Sequence, residues 1–201
     1  MSALGSIPWQ RHLLFWGVAA LGLAADLGSK RWMFSQADLL AGEVRWVLPS
    51  HAGFQLSLNE GALFGMGQGG VWVFALCSIG AAIAIPAWLF VAGAARDRQL
   101  TLVLAAIMGG VLGNLYDRAG LPGLDWGPFR ADRAGEPVYA VRDFVLLAWQ
   151  WPPAARWHVW PNFNIADALL VCGAIAMALL ALRRAPDEST AALQSRGESI
   201  P

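Results

Sequence analysis

The sequence predicts a mainly α-helical membrane protein with four transmembrane helices, a small outward β region and a long outward loop. Three observations predict it. Of 201 residues, 57% are hydrophobic and only 14% charged, against about 25% charged in soluble domains, and the mean hydropathy is +0.48. The charges are unevenly spread, leaving stretches of about twenty residues without any, the length a bilayer span needs. These stretches end at charged pairs and triplets such as Arg96-Asp97-Arg98 and Arg183-Arg184. The composition excludes a disordered chain. Fourteen basic residues balance fourteen acidic ones, so nothing points to nucleic acid as a partner.

The clearest span runs from Val71 to Ala95, uncharged throughout, with Pro86 in its middle; membrane helices tolerate such a proline, usually with a kink. The next runs from Gln99 to about Tyr116 and is apolar until Asn114. Another, Phe163 to Leu182, contains one acid, Asp167. The first span, 13–33, is apolar only from Leu13 to Ala25 and reaches spanning length if Asp26 and Lys30 lie near its outer end. That segment can also be read as a secretory signal peptide, with Arg11 before it and small residues at Ala24-Ala25. Together the spans form a single integral-membrane domain over 1–201.

Four spans place both termini on one side. Arg11, the Arg96–Arg98 hinge, Arg183 and Arg184 share that side, which the positive-inside rule makes cytoplasmic. The polar segment 185–201 is read as a disordered cytoplasmic tail. Two regions then face outward. Segment 34–70 alternates around Val44–Val47 and Phe54–Leu58, the mark of short strands. Segment 117–162 is rich in Pro, Gly and Trp and lacks periodicity. Tryptophans gather between Trp9 and Trp46 and between Trp126 and Trp160, where interfacial anchoring and hydrophobic filling are both open readings.

Ionisable and amide side chains within spans are costly and by default mark function. Here they fall near the outward ends. Asp26 and Lys30, at i and i+4, share a helix face and can pair; such a pair can also simply position a helix end. Gly109, Gly110 and Gly113 permit close helix approach, and Asn114 and Arg118 follow on one side, again at i and i+4. Asn164 and Asp167 are three apart at the start of the last span, with Asp167 about one turn inside it. Asp143 sits in the apolar setting Val141-Arg-Asp-Phe-Val145. Two carboxylates at similar depth, partly desolvated and close together, cannot both ionise. One then keeps a proton while the other acts as base, enough to drive water onto a peptide carbonyl. Asp143 capping a helix, or pairing with Arg142, is the structural alternative.

Other chemistries find little support. Three histidines show no metal-ligand spacing, and no serine lies in a GxSxG setting. Cys77 and Cys172 lie in apolar runs and suggest neither a disulfide framework nor zinc.

Taken together, five motifs resemble the lipoprotein signal peptidase family (signal peptidase II, an aspartic membrane peptidase). They are Asp26-Leu-Gly-Ser-Lys30, Asn59-Glu-Gly-Ala-Leu-Phe-Gly65, Gly109-Gly-Val-Leu-Gly-Asn-Leu-Tyr-Asp-Arg118, Val141-Arg-Asp-Phe144 and Phe163-Asn-Ile-Ala-Asp167, in the family's order, across Leu13 to Leu182. The resemblance implies a bacterial inner-membrane enzyme with an extracytoplasmic β-cradle and site. It implies cleavage of diacylglyceryl-modified prolipoproteins N-terminal to the lipidated cysteine. Asp143 and Asp167 match the catalytic aspartates. By the same analogy Asn59, Asn114 and Arg118 hold substrate, Asn164 orients the dyad, and Asp26 and Lys30 support the site. Neither a metal nor an organic cofactor is implied. The expected partners are lipid-modified prolipoproteins and membrane lipids, with the protein itself a monomer.

The chain departs from the family pattern in three places: the long segments 119–140 and 146–161, and Arg142 where an apolar residue is expected. If the Arg142 side chain turned toward Asp143, it would lower that carboxyl's pKa. Two rival functions remain at this level. A proton or ion transporter calls for acids at mid-span, and a scaffold calls for polar residues that only lock helices. Asp117 can also replace Asp143 in the dyad, unless it is paired with Arg118.

Overall fold

A computed structural model describes residues 6–61, 69–150 and 157–184. Four long apolar helices form an antiparallel bundle: α1 (Trp9–Met33), α3 (Val71–Pro86), α4 (Arg98–Arg118) and α5 (Ile165–Arg184). All four are long and apolar enough to cross a membrane, with α3 prolonged to Val91 by a π-helical turn. A short helix, α2 (Ala37–Leu40), and four strands, β1 (Arg45–Leu48), β2 (Ala52–Asn59), β3 (Val141–Gln150) and β4 (Trp157–Phe163), gather at one end. The predicted tail 185–201, part of the Asn59–Gly65 motif and the tip of segment 146–161 lie outside the described residues.

The helix limits differ from expectation for identifiable reasons. α1 begins at Trp9, directly after Pro8, rather than at Leu13. The second span ends at Val91 instead of Ala95. Pro86 lacks an N–H, the next turn widens into the π-helical Ala87–Val91, and Gly93 at φ +82° reverses the chain. Asp97, expected in a hinge, caps α4 by accepting from the Leu100 N–H at 3.0 Å. α4 continues past Tyr116, so Asp117 and Arg118 are helical rather than in the loop. Phe163 belongs to β4, and α5 starts at Ile165.

α4 is the centre of the bundle, touching α1, α3 and α5. Its glycines make this possible. A Cβ on Gly110 would lie 2.6 Å from the Ala166 carbonyl oxygen, and one on Gly109 3.0 Å from that of Ala19. Leu100, Leu104, Ala105 and Met108 of α4 pack on Phe15, Ala19, Leu89 and Ala95. The outer faces of α1, α3 and α5 expose large apolar side chains, among them Leu21, Leu76, Ile83 and Ile175. Lipid solvates such faces, so helix contact relies on close packing rather than on burial from water.

The sheet is antiparallel in the order β1-β2-β3-β4. β1 and β2 fall where alternation predicts strands. β3 and β4 were expected to be loop, because β3 shows no alternation: Val141 to Phe144 are all buried. Phe144 packs on Met33, Phe34 and Leu39, while Asp143, on the opposite side of the pleat, turns to the helix ends. Segment 119–140 folds into a small cluster of its own, with Trp126, Val138 and Ala140 packed against Leu58 of β2.

Candidate active site

The polar residues singled out from sequence meet where the C-terminal ends of α1 and α4, the N-terminal end of α5 and the sheet converge. Asn164 ends β4's return to the bundle and occupies the N-cap of α5 rather than the helix itself. Its side-chain oxygen accepts from the Asp167 N–H at 3.0 Å, and its own N–H donates to Asp167 Oδ2 at 3.2 Å. This reciprocal pair is a capping box, and it fixes the Asp167 carboxylate at the first turn. The Asn164 amide also donates to Asp143 Oδ1 at 2.6 Å. One asparagine therefore joins the two aspartates.

Each aspartate has a further amide. Asn114 Nδ2 donates to Asp167 Oδ1 at 2.8 Å, so both Asp167 oxygens accept hydrogen bonds. Asn59 hydrogen-bonds Asp143, across from it at the β2–β3 pairing, where Ser57 faces Asp143 and Asn59 faces Val141. Asp143 is only 1% exposed. Burial first, and the neighbouring Asp167 charge second, push its carboxyl up to about 8, while the amides of Asn164 and Asn59 and the Lys30 ammonium pull the other way. Asp143 caps no helix, and its hydrogen bonds go to amides rather than to Arg142.

Arg142 points away. Its Nε and a terminal nitrogen bind Asp117 Oδ1 at 2.9 and 2.8 Å, and its backbone N–H donates to Asp117 Oδ2 at 3.1 Å. Successive strand residues face opposite sides, so the neighbour of Asp143 is turned from it. Asp117 also pairs with Lys30 at 3.0 Å, and its ion pairs are with Lys30 and Arg142 rather than with Arg118. Lys30 holds Asp26 at 2.7 Å and donates to Asn114 Oδ1 at 3.1 Å. Asp26 in turn accepts the Ala166 N–H at 2.9 Å. A buried chain Asp26–Lys30–Asp117–Arg142 thus ties α1, α4, β3 and α5 together beneath the two aspartates. Asp117 is a fully engaged member of that chain, held by Lys30 and by both the side chain and the N–H of Arg142. Reading the sequence missed this role because Arg142 and Asp117 are 25 positions apart; a basic residue in an otherwise apolar strand was the available signal.

Arg118 donates to the Gly61 carbonyl at 3.1 Å and lies over the Phe74 ring. Its buried Nε has no hydrogen-bond partner among the described residues, a donor left for something that enters. The space it faces is a cavity of about 560 Å³ with Asn59, Asn114, Arg118 and Asp167 at its polar end. Its walls are apolar, with Phe74 and Ala81 from α3, Val111 from α4 and Leu170 and Val171 from α5, and Trp160 of β4 covers it. Cys77 and Cys172 line it and are exposed, so the cavity opens on the lipid-facing flank between α3 and α5. Asp143 lies behind Asp167 and Asn164 rather than on the cavity wall.

A four-helix membrane bundle with two aspartates joined through Asn164, one of them at the polar end of an apolar cleft, has the make-up of a membrane-embedded enzyme. Comparison with known proteins identifies which kind. Residues 18–183 match the family described as Signal peptidase (SPase) II, and the chain belongs to that family of bacterial membrane peptidases. It is 40% identical to a lipoprotein signal peptidase of Rhodopirellula baltica over 92% of this chain and 86% of the relative. Identity is 33% to that of Rhodococcus jostii, over 88% and 76%, and 32% to that of Pseudomonas syringae, over 89% and 87%. Two solved bacterial membrane enzyme structures share the fold. One has a TM-score of 0.67 at 21% identity, covering 90% of this chain and 93% of its own. The other has 0.62 at 22%, covering 89% and 96%.

Proposed function

We propose that this peptidase removes the signal peptide from diacylglyceryl-modified prolipoproteins, cutting N-terminal to the lipidated cysteine, with Asp143 and Asp167 as its catalytic pair. The observation that carries the reading is the pair itself: two carboxyls joined through Asn164, whose side-chain amide binds Asp143 and whose backbone N–H binds Asp167, with Asp167 standing where an apolar, lipid-open cleft meets polar donors. A substrate whose acyl chains stay in the bilayer would lay them against Ala81, Val111 and Leu170. Its scissile carbonyl then reaches Asp167, with the Arg118 Nε available to its backbone and Asn59 and Asn114 beside it on the cavity wall.

The roles follow from the hydrogen bonding. Asp167, accepting on both oxygens, is the base that takes a proton from water as the water oxygen attacks the carbonyl carbon. Asp143, buried and raised to about 8, holds the proton that goes to the carbonyl oxygen. Collapse of the tetrahedral diol breaks the C–N bond, and the amine leaves with a proton returned through the pair. No cofactor enters this sequence of steps. The site end of the bundle faces outward, because Arg11, Arg96, Arg98 and Arg183 all lie toward the opposite end. One chain supplies every residue named, so a monomer suffices.

Mass spectrometry of the products tests this reading. With a diacylglyceryl prolipoprotein peptide, the larger product should begin at the lipid-bearing cysteine, and the unlipidated peptide should be cut at least about 100-fold more slowly. Cleavage elsewhere, or equal rates on both peptides, would overturn it.

A further inference from the structure

Segment 119–140, the part of the chain that departs most from the family pattern, is built onto the end of β2, which reaches the catalytic pair through Asn59. Leu58, Asn59, Glu60 and Gly61 are consecutive, and each has a different attachment. Leu58 packs into the cluster of Trp126, Val138 and Ala140. Asn59 hydrogen-bonds Asp143, and its side-chain oxygen accepts from the Gly61 N–H at 2.9 Å. Gly61 offers its carbonyl to Arg118 at 3.1 Å. Glu60 reaches the other way, to Arg133 of the segment at 3.1 Å.

Arg133 is itself held on three sides. Its Nε donates to Glu136 at 2.8 Å, its guanidinium lies 4.1 Å from the Trp126 ring centroid, and Glu60 takes the remaining side. Trp126 is 5% exposed, so the platform beneath the guanidinium is fixed. The segment therefore grips β2 by an apolar contact just before Asn59 and by an ion pair just after it.

We propose that Arg133 and Glu60 are positioning residues for the peptidase reaction: their ion pair sets the Asn59–Gly61 corner and, through it, the placement of Asp143 and Arg118. The proposal rests on the reading of Asp143 as catalytic. Both side chains are about a quarter to a third exposed, and partly exposed ion pairs add little to global stability. Position is different, because displacement of a reacting group by even an ångström can cost about 100-fold in rate.

The test uses the full-length protein in detergent micelles with a diacylglyceryl prolipoprotein peptide. Glu60→Gln removes one charge, and Arg133→Met removes the other while keeping a stem over Trp126. Each single change should lower kcat about tenfold, leave KM within about twofold and leave the thermal midpoint within a few degrees. The double variant should lose about tenfold as well, not 100-fold, because both changes break one shared interaction. Unchanged kcat in the singles, or multiplying losses in the double, would overturn the proposal. Hydrogen exchange of a peptide covering 54–61 provides a readout that needs no turnover. Faster exchange in Arg133→Met supports the strap even if the wild type fails on this substrate, an outcome that would remove the substrate assignment alone. Unchanged exchange rejects the strap whatever the activity.

Discussion

Asparagine at either Asp143 or Asp167 should lower cleavage by about 1,000-fold or more while leaving a folded protein, a barrier increase of about 4 kcal/mol. The two losses arise differently. Asp167→Asn keeps one acceptor oxygen, for either the Asn114 amide or the Asn164 N–H, and the backbone N–H of residue 167 still donates to the Asn164 oxygen at the α5 cap, but no group remains to take the proton from water. Asp143→Asn keeps the acceptor facing Asn164 and removes the transferable proton. Folding should even improve in the second case. The Asp143 carboxyl lies at about 8 in the folded protein against an ordinary 3.8, so the unfolded chain releases its proton first as pH rises. Its contribution therefore falls between about pH 4 and pH 8 and is most unfavourable above that window. Asparagine does not titrate. Thermal unfolding in detergent should show Asp143→Asn gaining on the wild type as pH is raised from 5 to 8. An activity loss accompanied by unfolding at all pH values would instead support a scaffold role.

Lys30→Met should destabilise the protein by about 3–5 kcal/mol, because it leaves buried carboxylates without their cation. Lys30 and Asp26 are fully buried and Asp117 is as well. With the ammonium gone, Asp26 keeps the Ala166 N–H and Asp117 keeps Arg142, but Asp26 loses its counter-charge altogether. Asn114 also loses the donor that orients its carbonyl, which loosens its amide on Asp167. At about 2–4 °C per kcal/mol for a chain of this size, the thermal midpoint should drop roughly 10 °C. Adding Asp26→Asn should recover part of the loss, since removing both charges costs less than stranding one. A thermal midpoint for Lys30→Met equal to the wild type's would show that the buried chain does not hold the bundle together.

The spans and most of the site's residue types are readable in the sequence because the bilayer penalises polar groups so heavily that the few present stand out. Asp26 and Lys30 illustrate this: helical spacing alone pairs them, and they meet at 2.7 Å. The Asn-x-x-Asp of 164–167 also has the spacing of a capping box, which would have moved Asn164 off the helix and onto its cap. The two later strands are another matter. Val141 to Phe144 are buried on both sides, and alternation, the only local mark of a strand, disappears when both faces are covered. Arg142 was a warning that could not be resolved locally, since its partner Asp117 lies on another element. The Arg133–Glu60 contact spans 73 positions between two partly exposed residues, with no periodicity to announce it. Long-range pairing of polar groups is decided by the packing of the elements that carry them, and a linear pattern records only the elements.

The dependence of kcat/KM on pH tests the dyad most directly. With lipidated substrate well below KM and the protein checked to be folded, kcat/KM of the wild type should fall above about pH 8, approaching tenfold per unit, as Asp143 gives up the proton it must donate. A kcat/KM that stays level to pH 10 would contradict the account, because no protonated Asp143 would then be needed for the cut.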